Sequence, residues 1–261
     1  MAIPRGHRFP IEFADAFPQV KLITSEENLG FGRANNVVIQ QIMSEPDKPS
    51  AVYLLNSDTI THPGATRALY DYLMSNPRIG VVGAGLTYAD GRYQHSAFDF
   101  PGLRQLWVEF FPTPGRMIEG RFNGRHPQHE QPFPVDFVLG ATMMLRREVI
   151  EQTGMFDERF FMYCEEIDWE WRMCEAGWEV WCVPAAHVTH LAGQSTGQVR
   201  PRSVIDLWTS RLLLAQKHYP RWKLPLARLL IILGMGRKMR RTQTPTLRAA
   251  YGQVQKITLG R

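Results

Sequence analysis

The chain has 261 residues, 44% hydrophobic and 11% aromatic, enough to bury a full core and too many for a peptide module. Its three cysteines, Cys164, Cys174 and Cys182, are odd in number and lack ligand spacing, which excludes a disulfide framework and a structural zinc site and fits a cytosolic setting. The net charge of +5 is unevenly spread: residues 1–199 carry 16 Lys and Arg against 24 Asp and Glu, whereas residues 200–261 carry 14 against Asp206 alone.

The opening "MAIPRGHRFPIEF" is broken by prolines and charges, so no secretory signal is expected. "VKLITSEENLGFGRANNVVIQQIM" predicts a short strand at 20–23, a glycine-bearing turn and a helix from about Ala34 to Met43. "AVYLLNSDT" is an apolar run ending in polar residues, the pattern of a buried strand whose carboxyl end opens onto a site. A helix near 63–75 and a second buried strand, "IGVVGAGL" (79–86), complete the pattern. This alternation predicts an α/β fold with a mostly parallel sheet, ligands gathering beyond the carboxyl ends of its strands.

From Asp90 to Pro134 periodicity fades, as in functional or mobile excursions. "VDFVLGATMMLRREVIEQTGMFD" then reads as a strand and a short helix that Gly154 can end. In "FMYCEEIDWEWR" a helix begins whose Ile167, Trp171, Cys174 and Trp178 form one apolar stripe, with Gly177 as its stop. Glu165 and Asp168 share another edge, expected to face a cleft. "VWCVP" and "HVTHL" read as strands and "AGQSTG" as a loop.

Two helices joined near Pro220 are expected in a basic tail spanning 201–261, after a main domain spanning 1–200. Residues 224–236, "LPLARLLIILGMG", number 13 and contain Arg228, too short and too charged to span a bilayer. Arg237, Lys238, Arg240 and Arg241 follow, which favours an interfacial helix on an anionic leaflet. The alternative is a helix packed on the protein's own core. Nucleic-acid binding would rest on charge alone, and the interleaved apolar residues argue against it.

Four pieces carry chemistry. "NSD" places Asn56 and Asp58 at a strand end, though these are also turn formers. "CEEID" puts Glu165, Glu166 and Asp168 at a helix start, where the dipole is expected to keep a carboxylate ionised as a base; simple N-terminal helix charge is the plain alternative. "HVTHLAGQST" offers His190, which with an aspartate would suit Mn²⁺ or Mg²⁺ holding phosphate oxygens. "NLGFGRANN" offers glycines and Arg33 before a helix, an anion contact or an ordinary cap, without the rest of a dinucleotide fingerprint.

In this order the segments "ENLGFGRANN", "LLNSDT", "VDFVLGATMMLRRE", "GMFDERFFMYCEEIDWEWRMCEAGW" and "VPAAHVTHLAGQST" resemble the family 2 glycosyltransferases, particularly rhamnosyltransferase-like enzymes of bacterial surface-glycan assembly. The resemblance implies a GT-A fold and an inverting transfer of one sugar, rhamnose being the leading candidate, from a dTDP- or UDP-sugar. It implies a polyprenyl-diphosphate-linked glycan as acceptor and a peripheral site on the inner face of the plasma membrane. Glu166 matches the catalytic base, with Glu165 its rival, and Asp58 and His190 match the metal site for Mg²⁺ or Mn²⁺. Asn56 stands where many relatives carry an acid. Donor contacts are implied at Asn28, Gly30, Arg33, Asn56 and Asp58, and acceptor contacts at Gly140, Ala141 and Trp169. The aromatic residues Phe161 and Tyr163 are further candidates for lining the sugar sites, or for the core. Relatives begin with a strand–helix–strand for which too few residues precede "FPQVKLI", so a shortened fold with an exposed sheet edge is expected. A noncatalytic remnant that binds partners or glycan is the alternative function.

Overall fold

The computed structural model describes residues 16–113, 130–191 and 201–260, and among these described residues it has nine strands and eight helices. The first half runs α1 (Gly30–Ser44), β1 (Ala51–Leu55), β2 (Thr59–Thr61), α2 (Ala65–Ser75), β3 (Ile79–Thr87), β4 (Tyr93–Gln94), β5 (Ala97–Phe98) and α3 (Leu103–Phe110). Next come β6 (Phe133–Val135), β7 (Phe137–Val138), β8 (Thr142–Arg146), α4 (Arg147–Thr153), α5 (Glu165–Glu175) and β9 (Glu179–His190). Three helices follow: α6 (Pro201–His218), α7 (Lys223–Arg241) and α8 (Pro245–Thr258).

The main sheet has the order β1-β8-β3-β9-β2, with β4 added on β3 and β6 on β9. β1 and β3 both run antiparallel to β8, and β3 runs parallel to β9, so the three strands share one direction with β8 reversed between them. The α/β fold with flanking helices stands, but the sheet is mixed rather than mostly parallel: β3–β9 is its one parallel pairing among the described residues. A strand buried on both faces reads as the same apolar run in either direction, so periodicity cannot reveal the reversal.

Two local expectations are also corrected. Residues 20–23 form no strand, and Val20, Leu22 and Ile23 are exposed, because no described strand pairs with them. α1 starts at Gly30, earlier than Ala34.

Alternation along the central strands supplies two core layers. Val81, Met143 and Leu145 pack with Ile39 of α1, Val149 of α4, and Trp169 and Met173 of α5. Val82, Met144 and Val188 face the other way, onto Leu69 and Leu73 of α2. Burying each of these side chains contributes about 1.5–3 kcal/mol. A separate cluster joins Leu106 and Phe110 of α3 to Trp208 of α6, Ile231 and Met235 of α7, and Val254 of α8. Residues 201–258 thus enclose a core of their own with α3, a helix the sequence reading placed inside a featureless excursion.

In α5 the expected stripe is only half-buried; Glu165, Asp168, Trp169, Glu170 and Met173 are the buried residues. Trp169 is enclosed against Phe156, at 4.5 Å between ring centroids, and its indole N–H donates to Thr153 Oγ1 at 3.0 Å. It therefore lies in the core and lines no cleft. Trp171 stacks on Phe100 at 4.2 Å and on His218 at 4.6 Å, binding α5 to α6.

Candidate active site

The ends of β1, β7 and β9 and the start of α5 surround a cleft of about 160 Å³. Asn56, Gly140, Ala141, Tyr163, Glu165, Glu166 and His190 line it, all singled out from sequence, together with Phe31, Leu139 and Met162, which were not. These last three are apolar residues that only the fold distinguishes from core.

Each wall has a local cause. Asn56 N–H donates to Ala141 carbonyl oxygen at 3.0 Å, and the Asn56 carbonyl accepts from Thr59 N–H and Oγ1, closing the turn from β1 into β2. β2 then pairs with β9, Thr59 opposite His190, so Asp58 and His190 meet although 132 positions apart in the chain, with 3.4 Å between Oδ1 and Nε2. Leu191 N–H fixes the Asp58 carbonyl at 2.8 Å. Behind His190, the buried Gln94 amide contacts Nδ1 at 3.1 Å. Gln94 was missed by sequence reasoning because it sits in the aperiodic 90–134 stretch.

α1 closes the cleft's rim. Gly30 has φ +74°, and a Cβ there would overlap the Phe161 carbonyl oxygen, so the helix start and the 161–164 turn approach backbone to backbone. Asn28 Oδ1 accepts from Gly30 N–H at 3.1 Å in the turn before α1. Phe161 itself is exposed. Arg33 points to Glu158, 3.7 Å away and exposed, instead of into the cleft. Tyr163 and Cys164 both hold left-handed φ, 70° and 66°, in the turn that delivers Glu165 and Glu166. Strain of this kind is sustained where the surroundings dictate it.

The acids differ. Glu165 is buried, one carboxylate oxygen lacks a partner among the described residues, and burial, then Glu166, pushes it up to about 8. Glu166 is half-buried against Gly140, and burial raises it too. The expected ionisation by the helix start is thus corrected: removal from water outweighs the N-terminal dipole. Beneath them Glu170, fully buried and raised well above the ordinary range by burial, accepts from Val138 N–H at 2.9 Å and holds β7 in place.

Asp168 does not face the cleft. It is fully buried and accepts from Lys217 Nζ and His218 Nε2, each at 2.7 Å, and from Arg172 Nε at 3.1 Å. Burial pushes its carboxyl up, but the hydrogen bonds from His218 and Lys217 and the charge of Arg172 hold it below the usual range. The loop "AGQSTG" lies outside the described residues.

The mixed sheet flanked by helices, with acids and a histidine at its strand ends, is a GT-A glycosyltransferase fold, as its likeness to solved glycosyltransferases shows. Residues 8–204 match the glycosyltransferase-like family 2, and the chain belongs to that family. It is 32% identical over 223 residues to the N-acetylglucosaminyl-diphospho-decaprenol L-rhamnosyltransferase of Mycobacterium tuberculosis, covering 80% of this chain and 71% of that protein. Rhamnosyltransferase WbbL of Escherichia coli is 26% identical over 168 residues, 62% of this chain and 61% of that one. In fold the chain is similar to GalNAc-T7 solved with UDP, GalNAc and Mn²⁺ (TM-score 0.57, 14% identity), covering 97% of this chain and 47% of that one. It is also similar to the mannosyltransferase PcManGT of Pyrobaculum calidifontis solved with GDP-Man and Mn²⁺ (TM-score 0.51, 12% identity), covering 96% and 73%. The chain thus spans about half the length of the first of these structures.

Proposed function

We propose that the protein is an inverting glycosyltransferase that moves one sugar from a nucleotide-sugar donor to a lipid-linked or surface-glycan acceptor. The observation that carries this reading is that the half-buried Glu166 and His190 line a single cleft, with Asp58 3.4 Å from His190. Glu166 is the base: it takes the acceptor hydroxyl's proton while that oxygen bonds to the anomeric carbon and the carbon–oxygen bond to the diphosphate breaks. A carboxyl raised by burial is a stronger base than an ordinary one, and such catalysis is worth about 10²–10⁴ in rate. Glu165, buried behind it, is the less accessible rival.

Asp58, in the turn just before β2, and His190, at the end of the neighbouring β9, offer an oxygen and a nitrogen donor, a set that suits Mn²⁺ or Mg²⁺ completed by diphosphate oxygens. Among the described residues no group of three His, Cys, Asp or Glu could hold a metal ion, so diphosphate oxygens would have to complete the coordination. Gln94 can present its amide oxygen to Nδ1, which leaves the Nε2 lone pair toward Asp58. When bound, the cation supplies positive charge that stabilises the departing diphosphate. On this reading Asn56 in the cleft, with Asn28 and Gly30 in the turn at the start of α1, would meet the donor and Gly140 and Ala141 the acceptor; Arg33 would have to leave Glu158 to reach a phosphate.

The named activity of the mycobacterial relative supports rhamnose as the sugar and a polyprenyl-diphosphate-linked acceptor; the donor we propose with them is dTDP- or UDP-linked. A lipid-linked acceptor fits the proposed peripheral position on the inner face of the plasma membrane; no helix among the described residues is long and apolar enough to cross one.

The test is calorimetric titration of the chain with nucleotide sugars, with Mn²⁺ present and then chelated, beside turnover of the Glu166→Gln variant. We expect cation-dependent binding of one donor, and a variant that binds it yet transfers at least about a hundredfold more slowly. Near-normal turnover by the variant would move the base to Glu165, and a folded chain that binds no donor would favour the noncatalytic reading.

A further inference from the structure

α7 is apolar on two opposite sides. Toward the protein it buries Ala227, Ile231, Gly234 and Met235. Away from it, Trp222 just before the helix and Leu226, Leu229 and Leu233 within it are 64%, 45%, 51% and 50% exposed. Steps of four, three and four align them in one stripe. A helix apolar all round belongs in a buried setting, so the outer stripe calls for a cover that no described residue provides.

Charge identifies that cover. Arg221 and Arg228, two turns apart, flank a groove of about 440 Å³ floored by Leu224, Pro225, Leu229 and Ile232. Lys223 and Arg237 border the stripe on its other side, and α7 contains no acid. Among the described residues, Arg221, Arg228 and Arg237 have no carboxylate partner, whereas Lys238, on the inner side, reaches Glu109 at 3.5 Å. A second copy of this face would oppose cation to cation, and like charges across an interface are costly. An apolar stripe between rows of cations instead complements an anionic lipid surface, where leucines and tryptophan enter the headgroup boundary and long basic side chains reach phosphates.

We propose that this outer face of α7 seats the protein on an anionic phospholipid leaflet, with Trp222, Leu226, Leu229 and Leu233 inserted and a lipid phosphate gripped between Arg221 and Arg228. The inference rests on the reading of a membrane-borne acceptor and names the surface that meets the membrane. Binding is measurable without turnover, so the docking face and the transfer chemistry can fail separately.

The experiment is co-flotation of the full 261-residue chain with vesicles of phosphatidylcholine, alone or mixed with phosphatidylglycerol. Wild type is expected to float only with the mixture and to be released by salt. Leu226→Gln/Leu229→Gln/Leu233→Gln should lower partitioning by about a hundredfold, because burial of three half-exposed leucines is lost. Arg221→Gln/Arg228→Gln should lower it about 25-fold, roughly fivefold per cation. These side chains are exposed, so both variants should melt like wild type. Equal flotation with both vesicle types, unchanged flotation of either variant, or a salt-resistant dimer that the leucine variant dissolves would overturn the proposal.

Discussion

Glu165 carries a cost that pH exposes. Its carboxyl titrates near 8 in the fold and in the ordinary carboxylate range when unfolded, so the folded state binds the proton more tightly. Stability should therefore fall as pH rises from about 4 to about 8 and then level off. Glu165→Gln removes its share of that fall, Glu166 and Glu170 keeping theirs: matched near pH 4, the variant should be more stable by a few kcal/mol above pH 8, read as melting temperature across the range. A constant difference at every pH would mean that the carboxyl is not held protonated. Gly30 gives a second test, since an alanine there needs a left-handed φ and meets the Phe161 carbonyl. Gly30→Ala should cost about 1–3 kcal/mol in urea unfolding and weaken donor binding, as the rim of the cleft shifts. In sequence this glycine looked like part of a phosphate-contacting turn; its close approach to residue 161 needed the fold.

At the scale of elements, the join between α5 and α6 decides whether the helix bearing Glu166 is held. Lys217 bridges Asp168 to Asp157, both at 2.7 Å, while His218 binds Asp168 and stacks on Trp171. Asp168→Ala removes the buried acceptor shared by Lys217, His218 and Arg172 and leaves Lys217 with Asp157 alone, and removing one partner of such a cluster costs about 3–5 kcal/mol. Chemical denaturation should show that loss, together with a fall in transfer as α5 loosens. The acid was visible in sequence, and so was its place at a helix start, but its role was not. Spacing gives which residues share a helix edge; what that edge faces depends on an element 49 residues further on. The same limit hid the direction of β8, because burial on both faces writes the same apolar run either way.

Across the whole molecule, the C-terminal helices are tied to the earlier part of the chain by α3, whose Phe110 packs on Gly234 of α7 and on Trp208 of α6. A side chain at 234 would overlap the Phe110 ring, so Gly234→Val should destabilise by about 1–3 kcal/mol through overpacking. Differential scanning calorimetry would report it as a lower transition for residues 201–258, or for the whole chain if the two parts melt together. What the amino-acid sequence determined by itself was the succession α1, β1, α2 and β3, the polar residues at the turn after β1 and at the end of β9 that include Asp58 and His190, the helix start that carries Glu165 and Glu166, and the basic character of the last helices. Local periodicity and turn chemistry fix these within a window of a few residues. Only the tertiary structure decided that β8 runs backwards, that Trp169 and Asp168 turn inward, that Gln94 stands behind His190, and that α7 shows one apolar side to the core and another to the outside. Each of those depends on contacts between segments far apart in the chain, and such contacts leave no periodic mark on either segment alone.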